Sequence, residues 1–320
     1  MSAERVFDDA LSDLRVTGSV LLHDVYASPW AVRVPDEATL KRFLKPPAGT
    51  LIFPFHLVRN GGFDLHHSAR PVEHIAAGHV AICPSGLEHE MRRGRSARVT
   101  PLTELLSSPP IRKCTAQRHA TELICGVFEL RATPLNPLLG ALPPVLSVRV
   151  NGESIRPTLI RAAELLALEV ESGRRDSFVA ARLLEIFFAE ALRDHASRSS
   201  AGLPGWFRGL NDHRIGSALA AVHRDPGASW TVAALAATVA MSPSRFAARF
   251  RETMGQSVLG YVTSWRMTVA CRLLRDTNEG ISEIASKVGY GDLAAFGRSF
   301  KARVGQAPAA WRRSRAMGVA

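Results

Sequence analysis

The sequence has no run of 18 or more apolar residues, so no helix able to cross a membrane is expected. Cysteine is scarce: Cys83, Cys114, Cys125 and Cys271 are the only four, and no two form a C-x-x-C pair. That excludes a disulfide framework or a zinc finger as the organising principle. The opening stretch, MSAERVFDDALSDLRV, carries early acids and no apolar leader core. No secretory signal is therefore expected, and a cytoplasmic location is. Acidic residues are also in deficit, with 29 Asp and Glu against 40 Lys and Arg. What remains is an ordinary globular composition, 46% apolar and 22% charged.

At 320 residues the chain is long enough for two domains. Its formal charge of +11 is unevenly spread: residues 211–320 hold +8 and the first 210 residues only +3. An excess of positive charge in one third of the chain points to nucleic acid or an anionic surface.

Three regions differ in period. Residues 1–145 carry short β-like runs, among them LIFPFHLV (Leu51–Val58), HVAIC (His79–Cys83) and ELICGVFEL (Glu122–Leu130). Turn residues punctuate them, as in Asn60-Gly61-Gly62 and Pro84-Ser85-Gly86, so a sandwich or small barrel is expected. Residues 146–205 switch to three- and four-residue spacing in Leu159–Val170 and Phe178–Leu192, an antiparallel helix pair expected to mediate dimerisation. Ala196–Gly205 (ASRSSAGLPG) has linker composition. Residues 206–320 read as helices throughout, with Thr231 and Ser282 as expected N-caps and Pro243 early in a first turn.

The third region contains a repeat. Leu235–Gly255, LAATVAMSPSRFAARFRETMG, aligns with Ile284–Gly305, IASKVGYGDLAAFGRSFKARVG, after a one-residue insertion in the turn. Leu235, Ala236, Val239, Met241, Phe246, Phe250, Arg251 and Gly255 match Ile284, Ala285, Val288, Tyr290, Phe296, Phe300, Lys301 and Gly305. Each copy, about 231–254 and 281–304, pairs an apolar first helix with a basic second one, the pattern of a helix–turn–helix. Between them Val258–Thr277 is expected as one helix about 30 Å long. That is close to the ~34 Å turn of DNA at which paired units meet successive major grooves. The spacing puts Phe246, Phe250, Trp265, Phe296 and Phe300 in the core rather than on a stacking surface.

These residues carry a resemblance. Trp230-Thr231-Val232, Met241–Phe246, Trp265-Arg266-Met267, Phe296–Lys301 and the closing Gly305-x-x-Pro308-x-x-Trp311-Arg312 make the last hundred or so residues similar to the DNA-binding domain of the AraC/XylS family of bacterial transcription regulators. The resemblance implies DNA-facing residues Ser242, Ser244, Arg245 and Arg249 in the first copy, and Leu293, Ala294, Arg298 and Lys301 in the second. Ala247 and Ala248 stand where relatives often carry a polar reader. Arginine can grip guanine edges and apolar side chains can pack on thymine methyls, whereas Lys301 and Arg303 are expected on phosphate.

Gly78-x5-Pro84-x-Gly86-x-x-His89 matches the second cupin motif, so the first region resembles the cupin-type sensor domain found ahead of this DNA-binding module. The resemblance leaves His56 and His89 as candidate ligand-binding residues. The first motif's His-x-His and Glu are missing, two imidazoles are too few for a closed metal site, and no metal or cofactor is expected. Cys83, Cys114 and Cys125 raise the alternative of redox sensing, but buried, inert cysteine is the expected reading.

The expected fold is thus multidomain α+β: a cupin-like β-barrel, a helical connector and an all-α domain with two helix–turn–helix units. The expected function is a sequence-specific regulator binding double-stranded promoter DNA as a homodimer, with RNA polymerase as a partner and a small-molecule effector. Two alternatives stay open: a metal-dependent cupin enzyme fused to a DNA-binding module, and a constitutive regulator whose barrel only dimerises.

Overall fold

A computed structural model describes residues 3–68, 70–95, 97–107, 120–131, 133–152, 155–198 and 205–316. Cys114 and most of the linker-like stretch lie outside the described residues. In chain order the elements are α1 (Ala3–Ser12), β1 (Arg15–Tyr26), β2 (Trp30–Val34), α2 (Glu37–Leu44), β3 (Leu51–Asn60), β4 (Gly62–His67), β5 (Arg70–Ala76), β6 (His79–Ile82), β7 (His89–Arg93), β8 (Val99–Pro101) and α3 (Leu102–Ser107). They continue with β9 (Thr121–Arg131), α4 (Pro137–Gly140), β10 (Leu146–Arg149), α5 (Pro157–Glu171), α6 (Phe178–Arg198), α7 (Trp206–Asn211), α8 (His213–Arg224) and α9 (Val232–Thr238). The last five are α10 (Pro243–Met254), α11 (Val258–Asp276), α12 (Ile281–Lys287), α13 (Leu293–Val304) and α14 (Pro308–Ala316).

Contacts divide the chain into two units. One holds residues 16–131 and 142–195, the other residues 1–15, 132–141 and 196–320. Boundaries drawn at residues 145 and 205 therefore miss two features. The helix pair α5 and α6 belongs with the strands, and α1 and α4 belong with the C-terminal helices.

The first unit stacks two five-stranded sheets, ordered β1-β9-β3-β6-β10 and β5-β4-β7-β2-β8. The long apolar run of β3 is buried on both faces. Its alternation explains why: Ile52 and Val58 point into the inter-sheet core with Leu123, Cys125 and Val127 of β9. Phe53 and Phe55 point the other way, onto Phe128 and the α6 residue Phe188, with Phe128 and Phe188 centroids 4.7 Å apart. The helix pair thus roofs one sheet. Its far side leaves Leu165, Leu168, Phe178, Val179 and Ile186 exposed, Phe178 by 75%.

In the second unit, Thr231 caps α9 by accepting from the Ala234 amide, as expected. Ser282 does not cap α12: the helix starts two residues earlier, behind Gly280, with no side-chain cap. Phe246, Phe250, Trp265, Phe296, Phe300 and Trp311 are buried. The N-terminal helix is tied in by Asp13, which is buried and accepts from the Thr133 hydroxyl, the Asn136 amide and, at 3.4 Å, Arg275 of α11. Thr268 of α11 donates to the Leu135 carbonyl at 3.1 Å. Polar anchors of this kind are unreadable from spacing, because their partners lie more than 100 residues away.

Candidate functional site

The two helix–turn–helix copies superpose in their backbone bonding. In the first, the Met241 amide donates to Ala236 O at 3.0 Å; in the second, Tyr290 donates to Ala285 O at 2.9 Å. Both turns pass through a left-handed residue, Ala240 at φ 52° and Gly289 at φ 80°. Both second helices close on a left-handed glycine, Gly255 and Gly305. The second copy has the better start: the Asp292 carboxylate accepts from the amides of Ala294 and Ala295, whereas Ser242 caps α10 without a side-chain bond. The rod between them, α11, has 19 residues and is about 28 Å long.

Residues named from the sequence separate into two groups. Ser244, Arg245, Leu293, Ala294, Arg298 and Lys301 are exposed. Ala294, Arg298 and Lys301 lie four and three residues apart, on one face of α13. Leu293 is 50% exposed, an apolar side chain held in water at the first position of that helix. Arg298 has a 74% exposed side chain, and its ion pair to Asp292 is long, at 3.9 Å. Arg249 is different. It grips the Asp212 carboxylate with Nε at 3.0 Å and Nη2 at 2.6 Å. Asp212 in turn caps α8 through the amides of Arg214 and Ile215. Burial alone would raise the Asp212 pKa, but the Ile215 amide and Arg249 outweigh it and hold the carboxyl below its ordinary range. Arg249 is thereby engaged inside its own unit. Its counterpart in the repeat, Ser299, is likewise turned inward, 2.9 Å from the Tyr290 hydroxyl.

In the barrel, sheet pairing brings distant residues together. His56 on β3 sits directly across from Cys125 on β9, and His89 on β7 across from His67 on β4 and Val34 on β2. The inward parity of β3 and β7 then points His56 and His89 at each other from opposite sheets, their Nε2 atoms 2.8 Å apart. Both are buried, and desolvation pushes both pKa values down, His89 to about 4, so the imidazoles are neutral at pH 7. Linear spacing does not place Cys83 beside this pair, but the fold does. Cys83 follows β6, is buried, and places Sγ 3.7 Å from His89 Nε2. A Cys six residues before the motif histidine was the available signal. Next to this cluster lies a cavity of about 320 Å³ lined by Arg33, His66, His67, Glu88, His89 and Glu90.

The described residues thus form a double-sheet barrel roofed by a helix pair and a second unit carrying two like helix–turn–helix copies on one rod. The chain belongs to the cupin family, whose profile matches residues 5–197, and a helix–turn–helix domain profile matches residues 235–314, together the layout of AraC-type regulators. It is 38% identical over 194 residues to an AraC-like transcription regulator of Streptomyces lividans, covering 60% of this chain and 63% of that protein. It is 34% identical over 181 residues to the transcriptional regulator AlkR of Acinetobacter baylyi, covering 55% and 58%. Against the regulator MtrA of Neisseria gonorrhoeae it is 25% identical over 316 residues, covering 95% and 97%. The chain thus spans less than two thirds of the first two relatives' length. No helix among the described residues is long and apolar enough to cross a membrane.

Proposed function

We propose that this protein is a sequence-specific, DNA-binding transcription regulator, cytoplasmic and without enzymatic activity, that responds to a signal received in the barrel. The observation that carries this is the duplicated helix–turn–helix: two copies with matched turn bonding on a 19-residue rod, in the third of the chain that holds a charge of +8. Arg298 reads a base edge, Leu293 and Ala294 pack on thymine methyls, and Lys301 and Arg303 hold phosphate. In the first copy Ser242, Ser244 and Arg245 face the duplex, and Arg249 positions α10 through Asp212 rather than reading bases.

The protein acts as a homodimer through the exposed apolar face of α5 and α6. Two protomers on paired half-sites raise affinity through effective concentration, and RNA polymerase is the partner of the bound complex. The effector acts near His56 and His89, and it must favour one dimer arrangement over another to have any effect.

The test is selection of binding sites from fragmented genomic DNA, followed by anisotropy titrations at several salt concentrations. Specific fragments with affinity falling steeply in log salt are expected. Absence of selected sites, or a flat salt response, overturns the reading.

A further inference from the structure

Three side-chain donors converge in the barrel interior. His56, Cys83 and His89 are each at most 2% exposed, and one donor atom from each lies within 4.8 Å of the others. They come from two sheets: His56 from β3, Cys83 from the end of β6 and His89 from β7.

We propose that His56 Nε2, His89 Nε2 and Cys83 Sγ bind a borderline-soft divalent metal ion of the zinc class inside the barrel. A tetrahedral zinc ion bound at ~2.0–2.1 Å to nitrogen and ~2.3 Å to sulfur sets ligand separations of about 3.3 Å for N···N and about 3.6 Å for N···S. The cluster has 2.8 Å and 3.7 Å. Opening the imidazole pair by about half an ångström, and bringing the His56–Cys83 separation, which lies within 4.8 Å, to about 3.6 Å, accommodates the ion.

The outer partners orient the rings. His89 Nδ1 lies 3.4 Å from the Leu87 carbonyl, a partner that can only accept, so its proton sits there and Nε2 presents a lone pair. His56 Nδ1 lies 3.2 Å from Cys125 Sγ, which can accept or donate. In the metal-free chain the His56 proton sits on Nε2 and fills the gap to His89. When the ion enters, that proton shifts to Nδ1 against Cys125, both Nε2 lone pairs bind, and the Cys83 thiol proton leaves to solvent. One proton is released per ion. Cys125 orients His56 from its far nitrogen and is not itself a ligand. The donor set, two imidazoles and one thiolate, favours zinc over magnesium or calcium. Of the three donors, His89 borders the neighbouring cavity, the side from which an ion would approach.

The proposal deepens the reading of the barrel as the receiving site, but ion binding is measured without DNA, so the two can fail separately. The full-length reduced chain is stripped with chelator and titrated with cobalt(II), then with zinc(II). Expected are one cobalt per chain with a thiolate-to-cobalt absorption band, displacement of the colour by zinc, and loss of one proton per ion. Cys83→Ser and His89→Gln should weaken binding at least 100-fold and abolish or shift the band. Cys125→Ala should keep the band with affinity reduced by about tenfold. Where Cys83→Ser fails to fold, the wild-type titration decides alone. A colourless wild-type chain that holds no stoichiometric ion, or a folded Cys83→Ser that retains the band, overturns the site and leaves a hydrogen-bonded histidine pair.

Discussion

The repeat makes a reciprocal stability prediction at its two turns. Gly289 and Ala240 occupy the same left-handed position, at φ 80° and 52°. An L-residue there costs roughly 1–2 kcal/mol. At Gly289 a Cβ would also stand 2.6 Å from the Gly227 carbonyl oxygen and 2.7 Å from Arg266 Nη2. The first is backbone. The second belongs to a guanidinium already bonded to Pro226 O at 2.8 Å and Ala228 O at 2.7 Å. Displacing one of those bonds costs about 1.5–3 kcal/mol, and the stiffer unfolded chain returns about 0.4–1 kcal/mol. Gly289→Ala should therefore destabilise the helical unit by about 2–4 kcal/mol, a fall in Tm on the order of 10 °C. Ala240→Gly relieves the same backbone strain without a clash and should gain about 0.5–1 kcal/mol. Tryptophan fluorescence during urea unfolding of the full chain reads this directly, because Trp206, Trp230, Trp265 and Trp311 lie in that unit and only Trp30 in the other. A neutral Gly289→Ala, or destabilisation by both substitutions, would refute the equivalence of the two turns.

Three further outcomes are expected. Arg298→Ala should weaken binding to a selected operator by about 1–3 kcal/mol while leaving bulk DNA affinity within about twofold; equal losses in the two titrations would place Arg298 on phosphate instead. Leu168→Glu combined with Phe178→Glu should convert the proposed dimer to monomer in light scattering while leaving each protomer folded, since both side chains are exposed, and a persistent dimer would move the interface elsewhere. The barrel should lose stability in mild acid. His89 titrates near 4 when folded and near 6.5 when unfolded, so the unfolded chain binds the extra proton between those values and stability falls as pH drops through that window. Between pH 7 and pH 5 that amounts to about 2 kcal/mol from His89, with His56 shifted in the same direction. Chemical denaturation of His89→Gln across the same range should show a shallower pH slope, and an unchanged slope would sink the assignment.

Legibility in the sequence followed the range of the interaction. The helix–turn–helix copies were legible because their determinants are local: apolar spacing, a capping Thr231 and a closing glycine all lie within about 20 residues of one another. The exposure of Leu293, Ala294, Arg298 and Lys301 on α13 agrees with the same periodicity. The ion pair of Arg249 was not legible, because its partner, Asp212, lies 37 residues away and is itself a helix cap. The unit boundaries failed for a related reason. Asp13 reads as one more acid in an acidic opening, and only burial against Thr133, Asn136 and Arg275 makes α1 part of the helical unit.

The barrel interior shows most clearly what linear spacing omits. His56 and His89 could be named from motif positions, but their convergence depends on two sheets facing each other and on the parity of β3 and β7 within them. Parity is decided by which residues the helix pair must cover: with Phe53 and Phe55 committed to α6, His56 has no face left but the interior. Once it is there, a one-residue slip of β3 against β9 would replace the His56–Cys125 pairing and expose the aromatic face to the core's opposite side. The same register that builds the aromatic seam against α6 therefore fixes the three-donor cluster. The helix pair should accordingly be coupled to the cluster through β3: truncating Phe188 to Ala, which empties the seam without touching a donor, should lower cobalt affinity of the folded chain as well as its stability. An unchanged cobalt affinity in a folded but destabilised Phe188→Ala would show that the donors are held by the strands alone.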